Sequence, residues 1–345
     1  MKTLKKILQL LLPFALGLGI LWWMYRGTDW RDFFATLFGE MKWGWMLLSL
    51  VFGVLAQQAR AWRWIMALEP LGERPRRRTA EDAIFVSYAA SLVVPRIGEV
   101  TRCGALKRTD DVSFTKSLGT VVTERIVDSV MIILLTCIAF FSQIPAFRKF
   151  LQETGMDLHS VVGHFTRTGY LVTLICVVAA VAALVYLSRH FFKKSTDILR
   201  DLKDGISSLK DVRSIPLYFF WSLMIWVFYY LHFYIAFFCF DFTSGIAPQA
   251  VFLIFCIGTF AVIVPTPNGA GPWHFAVKTM LVTIYGVAAA DAVMFALVVH
   301  TVQTMLVVLL GAFGWADINM RGRRLTNGAG EEKAQINTEQ EPIKE

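Results

Sequence analysis

Glu124, Arg125 and Asp128 stand in the stretch "TVVTERIVDSVMIILLTCIAFF" (residues 120–141), which from Asp128 onward reads as lipid-buried helix. On a helix Glu124 and Asp128 are four apart and Arg125 and Asp128 three apart, so the three share a side. An ionised group near a bilayer centre costs at least about 2.5–3.5 kcal/mol on insertion scales. Three such groups should turn to the protein interior and pair there. Two kinds of chemistry suit them: a substrate or proton pathway, or a structural ion-pair network locking helices together. A separate alternative is that the triplet sits near the cytoplasmic interface, where charge is cheaper.

More charge lies nearby. "VVPRIGEVTR" (93–102) places Arg96, Glu99 and Arg102 three apart, along a helix that begins after Pro95 and Gly98. The preceding span carries "QQARAWRW", with Gln57, Arg60 and Arg63 also three apart. Arginine offers a planar fork suited to bidentate phosphate binding, and a helix N-terminus at Gly98 would add backbone donors. The pattern points to a phosphate-binding cleft open to the cytoplasmic leaflet. Anchoring by the positive-inside rule is the alternative; it suits "RPRRR" (74–78) better than Arg96, which sits inside the break. A second apolar region is interrupted by "VPTPNGAGPWH" (264–274), with Pro265, Pro267, Gly269 and Gly271. It holds no acid and no arginine, only Asn268, Trp273 and His274 with Lys278 beyond. His274 could titrate near neutral pH, although a lone histidine beside tryptophan also suits a hydrogen-bonded structural role. His300 and Gln303 form a polar pair on the last span, under the same two readings.

Other chemistry finds no pattern. There is no nucleophile–base set, P-loop, dinucleotide fingerprint or zinc spacing. The five cysteines are scattered without a CxxC pair, so no metal or cofactor is expected. The net charge of +8 is concentrated in clusters beside apolar segments, which fits loops facing anionic lipid and not a nucleic-acid partner.

The elements that position these residues are helices in a membrane. The chain has 345 residues, 56% hydrophobic and 17% charged, against about 25% charged in soluble domains. The expected fold is an all-α polytopic membrane protein with about six full spans, near 7–24, 44–66, 114–141, 169–188, 216–240 and 290–313. Two Pro/Gly-broken regions, about 82–107 and 249–286, are expected as re-entrant hairpins or paired half-helices. Irregular backbone at that depth survives only inside protein or along a wet cavity. The first apolar segment lacks a cleavage site and is expected to be retained. With both broken regions returning to their own side, every strongly basic connection falls on one face, so both termini are expected in the cytoplasm. Residues 1–320 form the membrane domain, and 321–345 a polar cytoplasmic tail expected to be disordered.

The layout repeats. Units of about 44–141 and 216–313 each read span, broken region, span, and alignment sets Arg125 against His300 and Asp128 against Gln303. The loop charges give the units opposite orientations. Inverted repeats with discontinuous helices are a recurring transporter plan, with the substrate at the repeat interface.

The ordered motifs "RAWRW" (60–64), "PRIGEVTR" (95–102), "TVVTERIVDSV" (120–130) and "PTPNGAG" (265–271) resemble the flippase-like lysylphosphatidylglycerol synthase transmembrane-region family. The likeness covers roughly residues 7–320 and implies a multi-pass bacterial inner-membrane protein that moves lipid or polyisoprenoid-linked substrates between leaflets. It matches Arg60, Arg96, Gly98, Glu99, Arg125 and Asp128 to the family's recurring polar positions. The chain departs at His274, where the family often has Glu, and at His300, near a common Arg. Only about two dozen polar residues follow the last span, so the aminoacyl-transfer activity of the synthases is not expected. The resulting expectation is a translocator of anionic phospholipid or lipid-linked substrate, its partners being membrane lipids. In it Arg60, Arg63, Arg96 and Arg102 hold phosphate, and Glu99, Glu124 and Asp128 orient them or exchange protons. A membrane enzyme acting on lipid phosphate and a non-transporting scaffold are the alternatives.

Overall fold

The computed structural model describes residues 15, 17–27, 29–94, 97–144, 204, 208–264 and 266–339. Regular structure among these is helical throughout, with no strand. The long helices are α1 (Trp30–Gly39), α2 (Trp43–Leu68), α3 (Arg77–Val93), α4 (Gly98–Asp110) and α5 (Phe114–Ser142), then α6 (Ile215–Ala236), α7 (Pro248–Ala261), α8 (Pro272–Thr283) and α9 (Ala289–Glu339). A further helical stretch occupies 17–25.

Local sequence sets the boundaries. Pro95 follows α3 and biases the residue before it away from helix; Val94 is extended. Ser214 caps α6 by accepting the Leu217 N–H, while Pro248 and Pro272 open α7 and α8, where no amide donor is needed. In the second break Gly269 (φ 71°) and Gly271 (φ 93°) take left-handed backbone that a β-carbon disfavours.

Of the six expected spans, those at 216–240 and 290–313 coincide with helical runs long and apolar enough to cross a membrane, Ile215–Cys239 and Ala289–Arg321. The 44–66 span qualifies as part of a bent pair, Phe33–Gly39 with Trp43–Leu71, turned by 83°. The 114–141 span lies in α5, whose apolar run is interrupted by the charged triplet. The 169–188 span and most of 7–24 lie outside the described residues. Both broken regions are helix–break–helix units whose arms pack together, α3 on α4 and α7 on α8. Helix α9 continues as backbone helix through the polar segment to Glu339, where the sequence suggested a disordered tail; Ala, Glu, Lys and Gln there are all good helix formers.

Packing joins the two halves. Helix α2 lies along α6, α3 along α9 and α5 against α7, while α4 meets α5 and α8 meets α9. One apolar core, with Phe233, Phe237, Leu281 and Phe295, binds the C-terminal helices, and a second around Trp64, Ile84, Leu106 and Val121 binds α2–α5. The outer surface reverses the arrangement of a soluble protein. On α5, Val122, Ile126, Val130, Ile133, Ile138 and Phe141 are exposed, whereas Glu124 and Asp128 are buried. An apolar exterior around an ionic interior is what a hydrocarbon solvent selects.

Candidate functional site

Asp128 is the hub of the buried ionic cluster. Its Oδ2 accepts from Arg60 Nη1 at 2.9 Å and its Oδ1 from Arg63 Nη1 at 2.7 Å, both arginines reaching from α2. Glu124, one turn earlier on α5 and fully buried, accepts from Arg102 Nη2 of α4 at 2.5 Å and lies 3.8 Å from Arg63 Nε. Arg125 is different: its side chain is 44% exposed and only loosely held, 3.4 Å from both Glu99 and Asp128. The cluster thus sets four guanidiniums against three carboxylates and ties α2, α4 and α5 together.

Aromatic and hydroxyl groups complete the shell. The Arg60 guanidinium lies 5.9 Å from the Tyr88 ring and 5.8 Å from the Tyr229 ring, whose hydroxyls bond each other at 2.9 Å. Arg102 sits 4.4 Å over Trp64, and Arg63 faces Tyr218 at 5.8 Å. Such contacts stabilise a desolvated cation by about 2 kcal/mol or more. Sequence reading missed these tyrosines, yet a signal was present: Tyr218, Ser222, Trp226 and Tyr229 recur at helical spacing along α6.

Two adjoining cavities open beside the cluster. The first, about 220 Å³, is lined by Arg60, Arg102, Arg125 and Glu99, by Ser87, Tyr88 and Ser91 of α3, and by Val262, Thr266, Asn268 and Gly269 of the second break. The two broken regions therefore meet at one charged chamber. Arg63, Glu124 and Asp128 line neither chamber; they stand behind the wall and fix the arginines that do. Within the cluster Arg60 Nε, Arg63 Nε and Nη2, Arg102 Nη1 and Glu124 Oε1 are buried without hydrogen-bond partners, behind the wall as well as in it. The second cavity, about 380 Å³, is lined by aromatic, aliphatic and neutral polar side chains and carries one formal charge, Arg125. Tyr88, Arg125, Val262 and Asn268 line both chambers.

The remaining expected residues divide. Pro95, Arg96 and Pro265 lie outside the described residues. Gly98 offers no free amide: its N–H donates to Ser91 Oγ at 3.2 Å. Its function in the fold is close approach, because a β-carbon there would stand 2.0 Å from the Ser87 carbonyl oxygen. Pro267 and Gly269 form one tight 3₁₀ turn, and Gly271 caps α8, where its N–H donates to His274 Nδ1 at 3.3 Å. His274 is buried outside both cavities, its ring 4.4 Å from that of His300. His300 bonds the Asn268 carbonyl at 3.1 Å and Gln303 donates to the His232 carbonyl at 3.2 Å; both line the second chamber. The basic run is also paired: Arg76 with Asp110, Arg77 with Glu81, and Arg78 with Asp317. Arg321 meanwhile bonds Asp82, so α3 and α9 are clasped at their polar ends.

Comparison with known families decides the identity. A family model described as the lysylphosphatidylglycerol synthase TM region matches residues 10–311. The chain belongs to this family. No curated protein and no solved structure matches it. Membership of the lysylphosphatidylglycerol synthase transmembrane-region family, with the apolar helices and inverted burial pattern, makes this an integral membrane protein. Among the described residues no group of three or more His, Cys, Asp or Glu side chains could hold a metal ion.

Proposed function

We propose that this protein is a flippase-like translocator whose charged chamber holds the phosphate of an anionic or lipid-linked substrate, in the bacterial inner membrane with both termini cytoplasmic. The observation that carries this reading is the charge of the chamber wall, where Arg60, Arg102 and Arg125 face a single carboxylate, Glu99. A phosphate among three arginines supplies the negative charge that one carboxylate leaves wanting, in charge-assisted hydrogen bonds.

The chemistry follows from how the arginines are held. Asp128 and Glu124 lie behind Arg60 and Arg102 and neutralise them enough to be tolerated in the membrane. Arg125 is the mobile element of the site. Its loose pairs with Glu99 and Asp128 can exchange for a phosphate, and its position between the chambers lets it follow the headgroup. Translocation then needs two gates. In this account the first broken region (α3–α4) enters from the cytoplasmic face and the second (α7–α8) from the opposite face, within a six-span inverted repeat.

What supports the repeat is the pairing of neighbours. If α2–α5 correspond to α6–α9, then α2 against α6 maps onto itself. The contact of α3 with α9 maps onto that of α7 with α5, α3–α4 onto α7–α8, and α4–α5 onto α8–α9. Each of these pairs is a contact in the fold.

Lipid retention tests the site. Native mass spectrometry of the detergent-purified protein should find phosphate lipids bound to wild type and lost from Arg125→Gln, whose half-exposed side chain makes only two long ion pairs, with an unchanged melting temperature as the folding control. Equal lipid retention by both proteins would remove the phosphate site and favour the scaffold reading.

A further inference from the structure

We propose that α1 lies in the plane of the membrane and docks its outer aromatic face at the headgroup–acyl boundary of one leaflet. The placement of α1 depends on neither the phosphate site nor transport.

Three observations lead there. The arm Phe33–Gly39 stands at 83° to the run Trp43–Leu71. Spans tilt by about 20° on average, so a helix nearly perpendicular to one runs close to the membrane plane. Next, α1 has more apolar surface than the fold covers. At about 3.6 residues per turn, Phe33 and Leu37 share one arc, and both pack in the core of the C-terminal helices. Trp30, Phe34 and Phe38 occupy the adjoining arc and are exposed, Phe38 by 75%. Their rings form a row, with Trp30 6.4 Å from Phe34 and Phe34 6.2 Å from Phe38. Turning the row inward would expel Phe33 from the core. The join to α2 is fixed too: the Lys42 N–H donates to the Cys239 carbonyl at 2.8 Å and the Lys42 side chain pairs with Asp241. Arg31, Ala35 and Gly39 take the third arc, all exposed. Protein, lipid and water each find a face on such a helix, as in-plane membrane helices require.

The third observation is where tryptophan collects. Of the 11 in the chain, Trp22, Trp23, Trp30, Trp43 and Trp45 fall in this one region and all are exposed. Tryptophan gathers at membrane–water boundaries. Down α2 the exposed apolar surface continues with Leu47, Leu48 and Val51, so the aromatic face is continuous with a face suited to lipid. Helix α2 has 26 residues, about 39 Å at 1.5 Å each, enough to cross a hydrocarbon core of roughly 30 Å. The basic run after its far end therefore belongs to the other face, and α1 to the leaflet opposite it.

The anchor acts on the second break. Residues 17–25 lead into α1 and pack on that break: Trp23 lies 6.2 Å from Phe275 and Tyr25 6.0 Å from His274. A β-carbon at Gly271 would stand 3.0 Å from the Gly17 carbonyl oxygen. Seating α1 in a leaflet thus holds the break at a fixed depth.

Nitroxide labels on full-length protein in proteoliposomes test the placement, at Phe34→Cys, Phe38→Cys and Ala35→Cys. A background of Cys137→Ala with Cys176→Ala leaves three buried thiols. All three labelled positions are exposed, an unchanged melting temperature checks folding, and either outer position alone is decisive. Oxygen, which enters lipid, should relax the labels at 34 and 38, and a water-soluble nickel chelate the label at 35. The ratio of the two effects should place 34 and 38 roughly 5–10 Å into the boundary. Nickel access at 34 and 38 equal to that at 35 overturns the proposal, because the row would then stand in water. Protection from both relaxants with spin–spin broadening also overturns it, by putting a second copy on the row. A depth at the bilayer centre does the same, by making α1 part of a broken span.

Discussion

Glu124 shows what a buried charge does in this protein. It is fully enclosed, it lines no cavity, and it holds Arg102 and Arg63 in place. Removing one member of such a pair leaves the other charged and unpaired, so Glu124→Ala should cost about 3–5 kcal/mol. The loss should appear as a lower melting temperature in detergent. The double variant Arg102→Met with Glu124→Leu should regain most of it, since an apolar pair of similar volume needs no counter-charge. A double variant as unstable as the single would show that the ion pair is not the source. Much of this cluster was legible: Arg60, Arg63, Arg102, Glu124 and Asp128 stand at helical spacing, and charge in an apolar run has to be buried and paired. That Arg60, Arg102 and Glu99 line the chamber while Arg63, Glu124 and Asp128 stand behind it was not legible. Spacing assigns a side of a helix, whereas the cavity wall depends on how α2, α4 and α5 are rotated against one another.

Glycines set the closest approaches between elements. Gly98 brings the start of α4 against the Ser87 carbonyl of α3, and Gly311 and Gly314 of α9 pack on Ala89 and Asp82 of α3. Gly98→Ala should force the arms of the first broken region apart, costing about 1–3 kcal/mol as overpacking does. Gly104 lies on the same helix with open space around it, and Gly104→Ala should stabilise by up to about 1 kcal/mol through helix propensity. Thermal unfolding of the two variants reads the difference, and a similar shift for both would deny that the approach at Gly98 matters. The breaks themselves were readable from Pro and Gly in the sequence. The use of Gly98 was not: a glycine at a helix start suggests an anion-binding amide, but Ser91 occupies that amide.

Across the whole molecule, the two broken regions meet at the charged chamber. The charged chamber takes residues from α3 and α4 of one half and from the second break of the other, and α6 supplies the aromatic wall beyond. The family match places the chain in a membrane without specifying a cargo, so the cargo has to be argued from these walls. Their arginines favour phosphate, and the outer faces of α5 and α9 beside them are apolar. The number of spans was less legible than the membrane character, because a charged triplet breaks the α5 signal and the 44–66 span qualifies only with the arm Phe33–Gly39, set at 83° to it.

Transport across a sealed vesicle tests the central claim most directly. Fluorescent phosphatidylglycerol in both leaflets is bleached from outside by dithionite, and the fraction bleached reports exchange between leaflets. Vesicles holding wild-type protein should lose well over the outer-leaflet half of the signal, while Arg125→Gln, reconstituted in equal amount and equally folded, should match protein-free vesicles. Identical bleaching by wild type and variant would contradict the account.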